Sequence, residues 1–392
     1  MPRHAGTNWM NWRKGTTSVA LGLGLAALLG GCSASSGGGG GGGGGSTPDG
    51  TAMSGALAST RVDHDAWSRL GYRLVWTGYA TVSPSDRVTA LELFDDGILV
   101  QDSSSVITDL SPVSGEIKWA TPVASPLTRF VGMTRHGKQY VVCSESEAFF
   151  VAADSGTLLA KQRFDRVVNT SPVNTGALLV MGTSGGEVIG HLLSGFKAWA
   201  YGVGGSFEAR PVAVGPDHVG LVSQNGRVII IMPVTGSASA QYRIFGGVAC
   251  ELAASDRMLF VASVDQSIYG FEIYGTGAKW RKRTDSALRT TPTYHDGRLY
   301  VEVPSAGLMC LEADTGRDIW TAKGVGGTVI GKVKGRLLVW NGTEAVTLDA
   351  ATGDVIERAT LAGYSFLKPD RFVDGSIYVS TPKGAVHKFE VK

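Results

Sequence analysis

The stretch 288–323, LRTTPTYHDGRLYVEVPSAGLMCLEADTGRDIWTAK, decides the fold. A short run ends at Asp296-Gly297, a tight-turn dipeptide. Arg298–Val303 follows as a strand of apolar and β-branched residues. Ser305–Gly307 turns the chain, and Leu308–Ala313 is a third strand. Asp314-Thr315-Gly316 turns it again, and Asp318–Ala322 is a fourth strand carrying Trp320. Four short strands separated by turns make an antiparallel meander, the unit of one β-propeller blade.

The turn at Thr315-Gly316 belongs to a series. Ser114-Gly115, Ser155-Gly156, Ser194-Gly195, Thr235-Gly236, Thr276-Gly277 and Thr352-Gly353 complete it, with steps of 41, 39, 41, 41, 39 and 37 residues between glycines. A period near 40 across most of a chain means repeated supersecondary units. The turn between the first two strands recurs eight times, near Gly97, Gly137, Gly176, Asp217, Asp256, Gly297, Gly335 and Gly375. The middle turn also recurs eight times, near Ser104, Ser146, Gly185, Asn225, Gln266, Ala306, Gly342 and Lys383. The eighth blade therefore lacks its outer strand. Tyr72–Thr77, YRLVWT, has the look of that strand, with Trp76 in the place of Trp119, Trp199, Trp280 and Trp320. Pairing it with Ala385–Val391 closes the ring and covers the last open edge. The expected fold is all-β: an eight-bladed β-propeller of four-stranded antiparallel blades, closed by an N-terminal strand. Seven blades is the alternative count.

Residues 1–67 read differently. Arg3, Arg13 and Lys14 precede an apolar run from Val19 to Leu29, too short to span a membrane and shaped like a secretory signal. Leu29-Gly30-Gly31-Cys32 resembles the bacterial lipobox, which implies cleavage before Cys32 and lipid on its sulfur. Residues 1–31 are thus read as a lipoprotein signal peptide and 32–67 as the lipidated Cys32 with a flexible tether. The tether carries nine consecutive glycines, Gly37 to Gly45. A coil of its length spans roughly 30 Å. Ser33 after the Cys is permissive for the outer membrane. The propeller is assigned to 68–392.

The full chain holds 36 basic and 34 acidic residues, net +2. Loss of residues 1–31 removes three positive charges and leaves −1. A nearly neutral protein offers no electrostatic case for nucleic acid. Cys143, Cys250 and Cys310 sit in or beside apolar runs, as expected of buried free thiols; one disulfide among them is the alternative. The seven histidines are scattered, without metal-ligand spacing, and His136, His218 and His295 fall near turns, where solvated side chains are expected. The glycine run is followed by no Lys-Ser/Thr of a phosphate loop, and no Gly-x-Ser-x-Gly elbow is present. Trp119, Trp199 and Trp320 follow their turn glycine by four residues and Trp280 by three. Packing between neighbouring blades is the expected role; ligand stacking is the alternative.

LEADTGRDIW (311–320) and SPVSGEIKW (111–119) resemble the tryptophan-docking repeat of pyrroloquinoline-quinone (PQQ)-type propellers. LDAATGDVIE (348–357) and VAADSGTLLA (151–160) keep the turn but put Glu357 and Ala160 in place of the Trp. The enzymes of that superfamily bind PQQ and Ca²⁺, are longer, and many carry an adjacent Cys-Cys pair. No such pair is present here, and the even steps leave little room for a quinone pocket. The chain is more similar to the outer-membrane protein assembly factor BamB family. That resemblance implies a membrane-anchored, non-enzymatic scaffold, with no cofactor and no metal, monomeric, on the periplasmic face of the outer membrane. It also implies a BamA-like barrel-assembly protein, or another envelope protein, as partner. In that family, inter-blade loops on one face make the contact. Gly204–Val228 is similar to the contact-bearing segment, which makes Phe207, Glu208 and Arg210 the candidate partner-binding residues. Two other functions stay open: a PQQ-binding quinoprotein or small-ligand sensor, and a surface lipoprotein with an unrelated protein or polysaccharide partner.

Overall fold

The computed structural model describes residues 62–392. The signal sequence, Cys32 and the glycine run lie outside the described residues. Eight four-stranded antiparallel sheets follow one another as blades. Seven are consecutive meanders: residues 88–122, 130–163, 173–202, 212–243, 253–283, 293–322 and 328–360 form blades 1 to 7. Blade 8 takes three strands from 366–391 and its outer strand, Tyr72–Tyr79, from the other end of the chain. The register runs from Tyr72 opposite Val391 to Tyr79 opposite Ala385. The expected eight blades and the closure by residues 72–77 are both found, the strand running two residues further. Innermost strands of blades 1 and 8 lie side by side, so the blades form a closed ring.

Position within a blade decides what a strand can be made of. The second strand packs against neighbouring blades on both faces. Gly97–Asp102, Leu178–Gly182, His218–Val222 and Met258–Ser263 are buried at every residue. Such strands read as continuous apolar runs because no face is left for water. Outer strands such as Ile117–Pro122 turn one face to solvent and alternate.

The outer strand is also bulged. In seven blades the register with the third strand slips by one residue, at Asp109/Leu110, Phe150/Val151, Gly190/His191, Ile230/Ile231, Cys310/Leu311, Thr347/Leu348 and, in blade 8, Lys388/Phe389. A bulge adds local twist and re-aims the next side chain. Here that side chain occupies the tryptophan position.

A helix, His64–Arg69, precedes the closing strand. Asp63 caps it by accepting the Ala66 amide at 2.9 Å. Six residues cannot hold a helix alone; this one is held by Trp67, which is 1% exposed. Residues 64–67, which fall in the segment read from sequence as tether, lie in this helix. The helix lies at the Val391 end of the closing strand pair. That end is the face of the Ser/Thr-Gly turns, opposite the inter-blade crossings.

Candidate functional site: blade junctions and the inter-blade face

The turns divide the ring into two faces. The Ser/Thr-Gly turns and first turns of all blades share one. The middle turns and the crossings from each outer strand to the next inner strand share the other. Between blades runs a third kind of surface, the radial junctions.

Five junctions obey one rule. Trp76, Trp119, Trp199, Trp280 and Trp320 each reach into the next blade. Their Nε1 donates to the carbonyls of Pro112, Ala153, Pro233, Ala313 and Ala350, at 3.3, 3.0, 2.8, 2.8 and 3.3 Å. Each acceptor lies three residues before the turn glycine. The indole lies on that glycine: a Cβ at Gly115, Gly156, Gly236, Gly316 or Gly353 would stand 2.4–2.5 Å from ring atoms. These glycines also have φ of +70 to +79°. Both constraints, the left-handed turn and the ring above it, demand glycine. The tryptophans thus pack between blades as expected.

The remaining three junctions are filled otherwise. At 2/3, Gln162 donates to the Leu193 carbonyl at 2.8 Å and meets His191 Nε2 at 3.0 Å. Burial lowers the His191 pKa. At 4/5, the Tyr242 hydroxyl donates to the Glu272 carbonyl at 2.7 Å. At 7/8, Glu357 stands in the tryptophan position and pairs at 3.5 Å with Arg69 of the helix. That helix supplies the indole itself: Trp67 packs among Ala345, Ala359 and Leu361 of blade 7 and Phe389 of blade 8.

On the inter-blade face, the segment 203–211 crosses from blade 3 to blade 4. Phe207 is 0% exposed, wedged against Gly182 and packed with Val180 and Leu221. Its carbonyl accepts from Asn169 at 2.6 Å. Phe207 therefore fixes the crossing and has no surface to offer a partner. Glu208 and Arg210 are exposed. The Arg210 amide donates to Glu251 of the next crossing at 2.6 Å. Desolvation raises the Glu251 pKa against the pull of Arg210. Three exposed apolar side chains share this face: Leu127 (95% exposed), Val167 and Phe245 (87% exposed). Sequence reading missed them. The available signal was an apolar residue in a crossing, outside any strand alternation, as in Ile244-Phe245, where Ile244 turns in and Phe245 out.

The same face opens into the central channel near blades 8, 1 and 2, where a 430 Å³ cavity is lined by Gln101, Thr128, Arg129, Ser171 and Lys368 among others. Lys368 and Glu92 bridge blades 8 and 1 at 2.9 Å across it. Among the described residues no group of three His, Cys, Asp or Glu could hold a metal ion, and no helix is long and apolar enough to cross a membrane.

Three sequence readings meet a different outcome or a plain answer. His218 is buried on a strand and lies edge-on to Tyr274 at 5.3 Å, not solvated, because its turn is tight enough to leave it inside the sheet. His295 stacks on Phe372 at 4.1 Å. Cys143, Cys250 and Cys310 are all free, and burial pushes the thiols of Cys143 and Cys250 up to about 12.

The family model of outer membrane protein assembly factor BamB matches residues 102–246, 190–323 and 244–363, together about two-thirds of the chain. Among solved structures, BamB from Moraxella catarrhalis is similar at 17% identity, with a TM-score of 0.65, over 82% of this chain and 98% of that one. The computationally designed Ika8 protein is similar at 12% identity, with a TM-score of 0.66, over 81% of this chain and 99% of that one. No curated protein matches.

Proposed function

The chain belongs to the family of outer membrane protein assembly factor BamB, and on that premise we propose that it is a non-enzymatic scaffold in outer-membrane β-barrel assembly. The family match over consecutive, evenly spaced blades carries this reading. In it, Glu208 and Arg210, with Leu127, Val167 and Phe245 on the same face, dock a BamA-like barrel protein, and Phe207 holds the crossing in place. Loops on a rigid frame are where recognition residues sit. Apolar tips ringed by charges are the composition of a protein interface.

Anchoring completes the proposal. Lipid on Cys32 would tie the monomer to the inner leaflet of the outer membrane. The described chain starts at Val62, on the face of the Ser/Thr-Gly turns. A flexible tether attached there would leave the inter-blade face free to meet a partner.

The experiment is purification of the tagged, lipid-modified protein from its native membrane. A barrel-assembly protein is expected with it, and Arg210→Glu is expected to weaken the complex. Wild-type protein recovered without any barrel protein would overturn the reading.

A further inference from the structure

The cavity near blades 8, 1 and 2 holds a polar group that the fold does not use. Gln101 lies at the inter-blade end of a strand buried throughout. Side chains alternate across a strand, so Gln101 faces the same way as Leu99, toward blade 2. Its register partners are Ala90 and Ile107, which pack with Leu99 in the core of the 1/2 junction. An amide in this position stands among apolar neighbours. Gln101 is 6% exposed and lines the 430 Å³ cavity. Its main-chain carbonyl accepts from the Thr89 hydroxyl at 3.2 Å, but its carboxamide makes no hydrogen bond to a described residue. Buried polar groups are almost always paired, and one left over is a cost to the fold.

The charges around it are already neutralised. Lys368 pairs with Glu92 at 2.9 Å and Arg129 with Glu145 at 2.8 Å. The Ser171 hydroxyl donates to the Val131 carbonyl. What the cavity offers a ligand is therefore a neutral carboxamide, donor and acceptor side by side, near the rings of Phe130 and Phe366. A peptide group carries the matching pair.

The walls also indicate where such a group comes from. The crossing from blade 1 to blade 2 leaves Leu127 in solvent, and the next residues, Thr128 and Arg129, line the cavity. The crossing from blade 2 to blade 3 leaves Val167 exposed and puts Ser171 on the cavity wall. A polypeptide seated on Leu127 and Val167 passes over the opening.

We infer that the cavity receives an extended loop of the partner polypeptide, with one main-chain peptide group paired to the Gln101 carboxamide and a side chain against Phe130. The inference rests on the docking reading above and adds the point at which the partner is gripped. Desolvated pockets of this kind are where binding energy concentrates.

The test uses the full chain in its native membrane. The photocrosslinking residue benzoylphenylalanine replaces Thr128 on the cavity wall or, in a second protein, Phe245 on the outer part of the same face. Both are expected to give an adduct with the barrel-assembly protein, the one at position 128 mapping to a single short segment of it. Gln101→Met breaks no internal hydrogen bond, so its melting temperature should be no lower than wild type. It is expected to reduce the adduct at 128 about fivefold or more. An adduct at 245 without one at 128, or an adduct at 128 unchanged in Gln101→Met, overturns the inference. So does an adduct at 128 to a glycan or lipid alone. No adduct at either position overturns the docking reading with it. If Gln101→Met does not fold, the comparison of positions 128 and 245 in the otherwise wild-type chain decides.

Discussion

The indole of Trp67 lies flat on the ring of Phe389, with centroids 3.8 Å apart and planes 16° from parallel. Tyr72 and Tyr364 meet the same indole edge-on, at 6.0 and 6.2 Å. The contact joins a helix outside the repeat to the third strand of the last blade, where Glu357 leaves the junction without its own tryptophan. Trp67→Ala should cost about 3–5 kcal/mol, as for a buried aromatic. Trp67→Phe keeps a stacking ring and should cost less. Chemical denaturation midpoints measure both; an unchanged midpoint for Trp67→Ala means the helix does not seal the seam.

Two glycines separate backbone strain from indole contact. Gly176 and Gly156 both have positive φ, +92 and +70°. A Cβ on Gly176 meets nothing within 4 Å, whereas one on Gly156 meets the Trp119 ring at 2.5 Å. Gly176→Ala should cost about 1–2 kcal/mol, the left-handed penalty alone. Gly156→Ala should cost several kcal/mol, because the indole must also leave. In a Trp119→Ala background the two costs should become alike, and a double-mutant cycle reads the difference.

The closing strand pair carries an acid-sensitive group. His387 is buried, with Nδ1 2.9 Å from the Thr77 hydroxyl and Nε2 without a partner. Burial, then the charge of His64, lowers its pKa from the ordinary 6.5 to about 4. The unfolded chain takes up the proton first as pH falls. Its stabilising effect is whole above pH 6.5 and is lost as pH falls through 4, about 3 kcal/mol in all. His387→Asn should remove this part of the acid loss. Melting temperatures of both proteins between pH 7.5 and 4 test it; parallel curves would exclude His387 as the cause.

Asp109 works in the opposite direction. Its side chain is wholly buried, paired with Lys118 at 2.8 Å, and its Oδ1 has no partner. Desolvation raises its pKa despite Lys118. A raised carboxyl contributes most below its unfolded pKa and loses that contribution as pH rises through the folded value. Lys118→Met strands the charge and should cost about 3 kcal/mol at pH 7. Part should return as pH falls, because a carboxyl whose pKa is raised takes up its proton more readily. A loss independent of pH between 5 and 7 would show that packing, not charge, was removed.

The ring was legible because turn chemistry is local. Gly115, Gly156 and their repeats announce a left-handed turn wherever they stand, and Trp76 announced an outer strand from the far end of the chain. The junction fillings were not legible where they depend on partners distant in sequence. Nothing in DHDAWSRL (63–70) says that Trp67 belongs beside Ala359 and Phe389. Phe207 looks like a loop aromatic until Gly182, on another blade, leaves the space that buries it. Glu208 and Arg210 were legible as surface because the charged residues of a crossing stay in water.

The pairing of Tyr72–Tyr79 with Ala385–Val391 sets an order of events during synthesis. A ribosome emits the first of these strands long before the second exists. Blades 1 to 7 can each assemble from local hairpins as they emerge, since every partner strand is a neighbour in sequence. The closing strand has no partner until the far segment has been made, and meanwhile offers an unpaired edge. The chain therefore needs an escort, or enough speed, to carry that strand unspent to the last step. Any substitution that slows blade 8 lengthens the exposure of one short segment near the opposite end.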